Sequence, residues 1–179
     1  MVKEIKSTLK LLFKIIIKPK SVIKDVTEYN RGVLNILFIL LAISIGVDQS
    51  RNTIFNTPLS IFIGFPIGIY LLRKWLVLCY LILFKFGISK KITYKELEKL
   101  LLPYIFLYLI AIRLIPSTIP YDFNSIKFVI RLFASLWFFW QIYLINKYKF
   151  NQRNLKSIIL ASINPLIALI YSIYGRLYY

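Results

Sequence analysis

Histidine is absent from this chain, cysteine occurs once, at Cys79, and only seven residues are acidic: Glu4, Asp25, Glu28, Asp48, Glu96, Glu98 and Asp122. Without an imidazole there is no histidine base or ligand, and a single thiol supplies neither a His/Cys metal site nor an internal disulfide. Intramembrane proteolysis by paired aspartates or by zinc is excluded by the same inventory. Polar surface is scarce as well. Of 179 residues, 59% are apolar and the mean hydropathy is +0.70, where an ordinary globular chain has roughly 45–50% apolar residues. A soluble enzyme would lack the polar side chains to cover itself. The length suits one domain. Five bilayer-crossing helices of about 20 residues each would use most of the apolar complement.

What the chain has in excess is positive charge. Twenty-four Lys and Arg against seven acids leave +17. In a soluble protein that balance, with many aromatics, would suggest nucleic acid. Here the basic residues cluster between long apolar runs, which points to anionic lipid headgroups and away from nucleic acid.

Residues 2–18 carry Lys6, Lys10, Lys14 and Lys18 four apart, with Lys3 on the same side. On a helix these make one basic stripe, with Val2, Ile5, Leu9, Leu12, Phe13 and Ile16 opposite. The pattern predicts an amphipathic helix lying flat in the membrane interface, ended by Pro19. Lysine in every turn and the lack of a small-residue cleavage site argue against a signal peptide. From Ser21 to Asn30 a short polar helix is expected, with Ser21 as its N-cap and Asp25 and Glu28 in its body.

Five apolar runs follow, at about 33–50, 59–86, 100–115, 126–145 and 157–174. The second is ambiguous, because 28 helical residues would reach about 42 Å where about 30 Å suffices. It reads as one long tilted helix, a helix broken at Pro66, or a re-entrant pair, and a single crossing is favoured because it keeps the charge alternation intact. Pro103 and Pro165 lie inside other runs, where lipid-embedded helices tolerate proline. Alternate connecting segments hold 17 and 2 of the basic residues, and five fall within the runs. The positive-inside rule then places the N-terminus in the cytoplasm and the C-terminus outside. The expected fold is all-α: a polytopic integral membrane protein of the cell membrane, five transmembrane helices preceded by an amphipathic interfacial helix. Residues 1–30 form its basic cytoplasmic arm and 31–179 its membrane domain.

Arg73, Lys74, Arg113, Lys127 and Arg131 are the charges within the runs, the usual first suspects for function. Arg113, Lys127 and Arg131 lie near span ends and are expected to snorkel to the outer headgroups. Arg73 and Lys74 fall mid-run, and a tilt that brings them to the inner headgroups is their simplest reading. No carboxylate is expected inside a span. Glu96 and Glu98, among Lys90, Lys91, Lys95 and Lys99, are expected to be solvated, and two apart on a helix they do not face each other. Gly64 and Gly68 form a GxxxG, a spacing that lets helices approach closely. Trp137, Phe138, Phe139, Trp140, Tyr143 and Tyr148 in the fourth run, with Tyr171, Tyr174, Tyr178 and Tyr179 at the end of the fifth, read as interfacial belts. No catalytic residue, cofactor or metal is expected.

The order of these features resembles the Yip family, membrane proteins named for interacting with Ypt/Rab GTPases, and in particular its prokaryotic-type members. The likeness rests on the basic arm ending in Pro19-Lys20-Ser21-Val22-Ile23 and on the loop Phe86-Gly87-Ile88-Ser89-Lys90-Lys91-Ile92-Thr93-Tyr94-Lys95-Glu96-Leu97. It continues with Pro103 in the third run, Leu136-Trp137, the loop to Asn151, and Lys156-Ser157-Ile158-Ile159. The Tyr-Gly-Pro signature of the eukaryotic trafficking members is missing, so Rab binding is not implied. What the resemblance implies is a non-enzymatic accessory role, such as assembling an ABC-type exporter that protects against membrane-active peptides, with another integral membrane protein as partner. A small anion channel or transporter using Arg73, Lys74 and Arg113 is the alternative from the charges alone.

Overall fold

The computed structural model describes residues 2–23, 29–50, 57–87, 92–119, 123–153, 155–159 and 161–162. Among them the regular structure is helical throughout, with no strand. Most of the fifth apolar run, with Pro165 and the four tyrosines at and beyond its end, lies outside the described residues, as do Asp25 and Glu28.

Helix α1 (Val2–Ile17) forms where the lysine repeat predicts it, but it has three faces rather than two. Thr8, Leu12 and Ile15 are buried against the rest of the molecule, whereas Leu9, Phe13, Ile16 and Ile17 are at least half exposed and Lys6, Lys10, Lys14 and Lys18 point outward. The buried face packs across the helices Arg31–Ser50 and Tyr94–Leu109. The sequence reading gave α1 a single apolar face, and the structure divides it, with Leu12 docked on protein and Leu9, Phe13 and Ile16 left uncovered. Leu12, Ile15 and Thr8 fall on an arc about 100° from Leu9 and Phe13 at 3.6 residues per turn, so one edge docks on protein while the next remains apolar and uncovered.

Pro19 opens a separate short helix, α2 (Pro19–Val22), whose N-cap is Lys18 rather than Ser21. Proline suits the first helical position because its missing N–H needs no partner there, and that moves the boundary upstream of Ser21. The Ser21 hydroxyl donates instead to the Lys18 carbonyl at 2.8 Å. Asn30 begins α3 (Arg31–Ser50): its side-chain oxygen accepts from the backbone N–H of Gly32 at 2.8 Å and of Val33 at 3.2 Å, covering two of the open donors of a helix start. Its amide nitrogen donates to Glu4 of α1 at 3.0 Å.

The ambiguous second run is one continuous helix, neither broken at Pro66 nor folded back. A π-helical segment, Ser60–Gly64, leads into α4 (Phe65–Gly87), and the Phe65 N–H donates five residues back to the Ser60 carbonyl. Pro66 offers no N–H to the Phe62 carbonyl and crowds it; widening the preceding turn relieves that clash without ending the helix. The same solution recurs in the third run. There α5 (Tyr94–Leu109) passes through a second π segment, Ile110–Leu114, into α6 (Ile115–Ser117), immediately before Pro116. The fourth run is α7 (Asn124–Tyr148). At its end Asn151 takes a left-handed backbone, φ 52°, a conformation asparagine tolerates better than most residues. The turn brings the Phe150 ring to 5.2 Å from that of Phe84 on α4.

Helix α5 starts earlier than the hydropathy suggests because Thr93 and Glu96 form a capping box. The Thr93 hydroxyl oxygen accepts from the Glu96 N–H, and the Glu96 carboxylate accepts from the Thr93 N–H at 3.0 Å. These bonds to the charged form hold the Glu96 carboxyl below the usual carboxylate range. The stabilisation is therefore complete above that range and fades as pH falls through the lowered value. Thr93→Ala is expected to cost about 1 kcal/mol of local helix stability, read as faster amide exchange at 94–97 with no change at 101–109. Unchanged exchange in the first turn would show that the box does not hold the helix start.

Two aromatic groups form the core of the bundle. Phe38 of α3 meets Phe106 of α5 edge-on at 5.1 Å, and Phe138 of α7 stacks on Tyr108 of α5 at 4.5 Å with Tyr80 of α4 at 6.1 Å. Phe138 is fully buried and so belongs to the core rather than to an interfacial belt; Trp140, nearly half exposed and stacked on Tyr143, keeps the belt character. The inner face of α4 (Val77, Tyr80, Leu81 and Phe84) is buried, but the preceding part of the continuous helix, from Leu59 to Leu71, is largely exposed.

Candidate functional site

The N-terminal arm, the starts of α3 and α5 and the end of α7 meet at one end of the bundle. The Tyr29 hydroxyl donates to the Lys99 carbonyl at 2.8 Å, and the Lys20 ammonium lies 5.9 Å from the Tyr148 ring centre. Burial pushes the Tyr29 phenol up, beyond its ordinary range.

At this end sits the most unusual side chain of the protein. Glu98 is 1% exposed. Its carboxylate bonds to the Arg31 guanidinium, from the first residue of α3, and pairs with the Lys74 ammonium of α4 at 2.8 Å. Arg73, 5% exposed, turns the other way: its Nη1 donates to the Asn35 side-chain oxygen at 2.7 Å, and its guanidinium lies over the rings of Phe38 and Tyr70 at 5.2 and 4.9 Å. Lys74 in turn lies 5.4 Å from the Tyr70 ring and 5.2 Å from that of Tyr94.

The expectation that Glu98 is solvated beside Glu96 is thus overturned for Glu98, while Glu96 is exposed as expected. The cause is helical register. With α5 beginning at Tyr94, Glu98 falls on the same face as Leu101, Leu102, Ile105 and Leu109, all fully buried. A lone carboxylate there would lose its hydration without return, and the two cations supply the compensation. The mid-run charges are accounted for at the same time. Lys74 reaches a carboxylate near the start of α5, and Arg73 is held by an amide and two rings, so both are engaged within the bundle.

Arg113 and Arg131 are exposed, as snorkelling side chains would be, and the π segment bearing Arg113 packs on α7. Lys127 differs, being buried: it lies seven residues before Ala134 and eleven before Phe138, on the stripe of α7 that faces the bundle. The Gly64–Gly68 face has no close neighbour. An added Cβ at Gly64 would meet only its own helix's Ser60, at 3.8 Å, and one at Gly68 would meet nothing within 4 Å. Both glycines line a groove of about 440 Å3, whose other walls include Ile45 of α3 and Arg113 of the second π segment. The real close approach of α3 to α4 is at Gly46, where a Cβ would come within 2.8 Å of the Phe65 ring.

A second groove, of about 620 Å3, runs along α4 beside the ion pair. Leu71, Leu72, Trp75 and Leu78 form its walls, with Lys74 and Tyr94 at its mouth. Sequence reasoning missed Asn35, Tyr70 and Tyr94 as partners of the charges. The one local clue was Thr93-x-x-Glu96, which fixes the register of α5.

Among the described residues three helices are long and apolar enough to cross a membrane: Arg31–Asp48, Ser60–Ile82 and Asn124–Tyr148. They mark the chain as a membrane protein. No family model, curated protein or solved structure matches the chain.

Proposed function

We propose that the chain is a non-enzymatic, five-span protein of the cell membrane, N-terminus inside and C-terminus outside, that binds and organises other membrane proteins. The observation that carries this reading is the unoccupied Gly64–Gly68 face on a helix whose neighbouring side chains, Leu59, Phe62, Ile63, Ile67 and Leu71, are 50–69% exposed. Lipid satisfies apolar side chains, but an uncovered pair of small residues is the surface on which a second transmembrane helix packs closely. The grouping of the basic arm with Lys99 and the end of α7 at one end of the bundle supports the orientation, since cytoplasmic ends carry the excess of Lys and Arg. The third crossing would be 100–115, carried by the continuous helical run 94–117, and the fifth would come from 157–174. The resemblance to prokaryotic-type members of the Yip family implies an ABC-type exporter as the partner, with the accessory role serving protection against membrane-active peptides.

The anion-channel alternative draws less support, because Arg73 is held by Asn35 and the rings of Phe38 and Tyr70, and Lys74 is paired with Glu98. A chain tagged at both ends tests the reading in one preparation. The C-terminal tag alone is expected to be cut by protease applied to intact cells, and capture in mild detergent is expected to bring down a distinct membrane complex. Repeated recovery as a lone monomer or homo-oligomer would overturn the organising role, and a cleaved N-terminal tag would overturn the orientation.

A further inference from the structure

We propose that the groove along α4 holds one anionic phospholipid, its acyl chain against Leu72, Trp75 and Leu78 and its phosphate at Lys74 and Arg31. The inference rests on the membrane reading above and adds to it a defined lipid site. Three observations meet here. The groove is walled almost wholly by hydrocarbon and opens to the outside of the bundle, where Leu71 and Trp75 are 60% and 62% exposed. Its mouth carries the Lys74 ammonium and the Tyr94 ring. The charges around that mouth do not balance: Arg31 and Lys74, two cations, share the single carboxylate of Glu98.

Donor geometry leaves room for a phosphate. Lys74 has three ammonium hydrogens and Arg31 five N–H donors, of which Glu98 engages a part. Both side chains stay accessible, at 31% and 44%, whereas Glu98 at 2% is sealed behind them. A phosphodiester arriving from the open side therefore meets cations first and the carboxylate not at all. A partner helix would satisfy the hydrocarbon walls but not the excess charge. A phosphocholine headgroup brings its own cation and relieves less of that excess than phosphatidylglycerol does, so the site distinguishes lipids by charge. The lysines of α1 also attract anionic lipid, but as a mobile surface layer without a groove for an acyl chain.

The test is native mass spectrometry of the full chain released from vesicles of equal phosphatidylglycerol and phosphatidylcholine. One phosphatidylglycerol per chain is expected to be retained about tenfold over phosphatidylcholine, the scale of one charge-assisted hydrogen bond. Lys74→Gln is expected to abolish that preference. Trp75→Ala, which touches no charge and removes only a groove wall, is expected to lower retention severalfold with helix content unchanged, so the proposal stays testable if Lys74→Gln fails to fold. Substituting Lys3, Lys6 and Lys10 together by Gln is expected to leave the single retained lipid in place. Retention of the two lipids in proportion to supply, or wild-type retention by Trp75→Ala, would overturn the site while leaving the membrane reading intact. Release of the chain from membranes by alkaline carbonate would overturn both.

Discussion

Glu98→Ala is expected to lower the stability of the detergent-solubilised protein by about 2–4 kcal/mol, read as a fall in the midpoint of thermal unfolding. Removing the carboxylate leaves the Lys74 ammonium and the Arg31 guanidinium facing each other with Arg73 nearby, in a site that gives up only part of its charge to water. The figure sits at or below the range for a broken buried pair because Arg31 and Lys74 are partly exposed and solvent screens them. Glu98→Gln is expected to lose nearly as much, since it keeps the volume and discards the charge. Glu98→Leu combined with Lys74→Met is expected to be better tolerated than Glu98→Ala alone, because an apolar pair leaves no orphaned ion. If Glu98→Ala falls within about 0.5 kcal/mol of the wild type, the range of ordinary surface substitutions, the carboxylate is solvated as its lysine-rich neighbourhood suggests, and the cluster holds nothing together.

That contrast shows where sequence reasoning reached and where it stopped. The local composition around Glu98, with Lys90, Lys91, Lys95 and Lys99 close by, says solvent, while the periodicity of Glu98 with Leu101, Leu102, Ile105 and Leu109 says interior. Periodicity decides, and it was legible once the Thr93–Glu96 capping box set the start of the helix. The apolar runs were legible for a simpler reason. Length and hydropathy are properties of contiguous residues, so α3, the helix through Pro66 and α7 lie within a few residues of their expected limits, and 94–117 extends its run at the start. What contiguous residues do not encode is which faces meet. Arg31 and Glu98 are 67 positions apart, and Arg73 and Asn35 are 38 apart; nothing local to either partner names the other. The third face of α1 is a case of the same kind, since Leu12 and Leu9 are equally apolar and only the presence of α3 and α5 on one side distinguishes them. Pro66 and Pro116 lie between these extremes. A proline announces that one carbonyl loses its donor, but whether the chain bends, breaks or widens into a π turn depends on packing around it.

Phe138→Ala and Phe133→Ala remove the same atoms from the same helix, five residues apart, and are expected to differ in cost by about 1.5–3 kcal/mol. Phe138 is fully buried between Tyr108 and Tyr80, whereas Phe133 is 66% exposed. In a water-soluble protein the buried substitution would cost roughly 3–5 kcal/mol, part of it from returning apolar surface to water. Between helices in lipid that part largely vanishes, because acyl chains are as apolar as the ring. What remains is the cavity and the lost dispersion contacts of a ring stacked at 4.5 Å on Tyr108. For Phe133 lipid or detergent fills the space at once, and its loss is expected to move the unfolding midpoint hardly at all. The comparison also bears on α4. Tyr80 borders the Phe138 site from the half of α4 that lies beyond Lys74, so a void there loosens one of the contacts of that half of the helix with the bundle. Amide exchange along 77–84 is therefore expected to quicken in Phe138→Ala while 60–68, already uncovered, stays as it was. Equal losses for Phe133→Ala and Phe138→Ala would mean that α4 and α7 are not joined through this ring, and the helical bundle would need a different core.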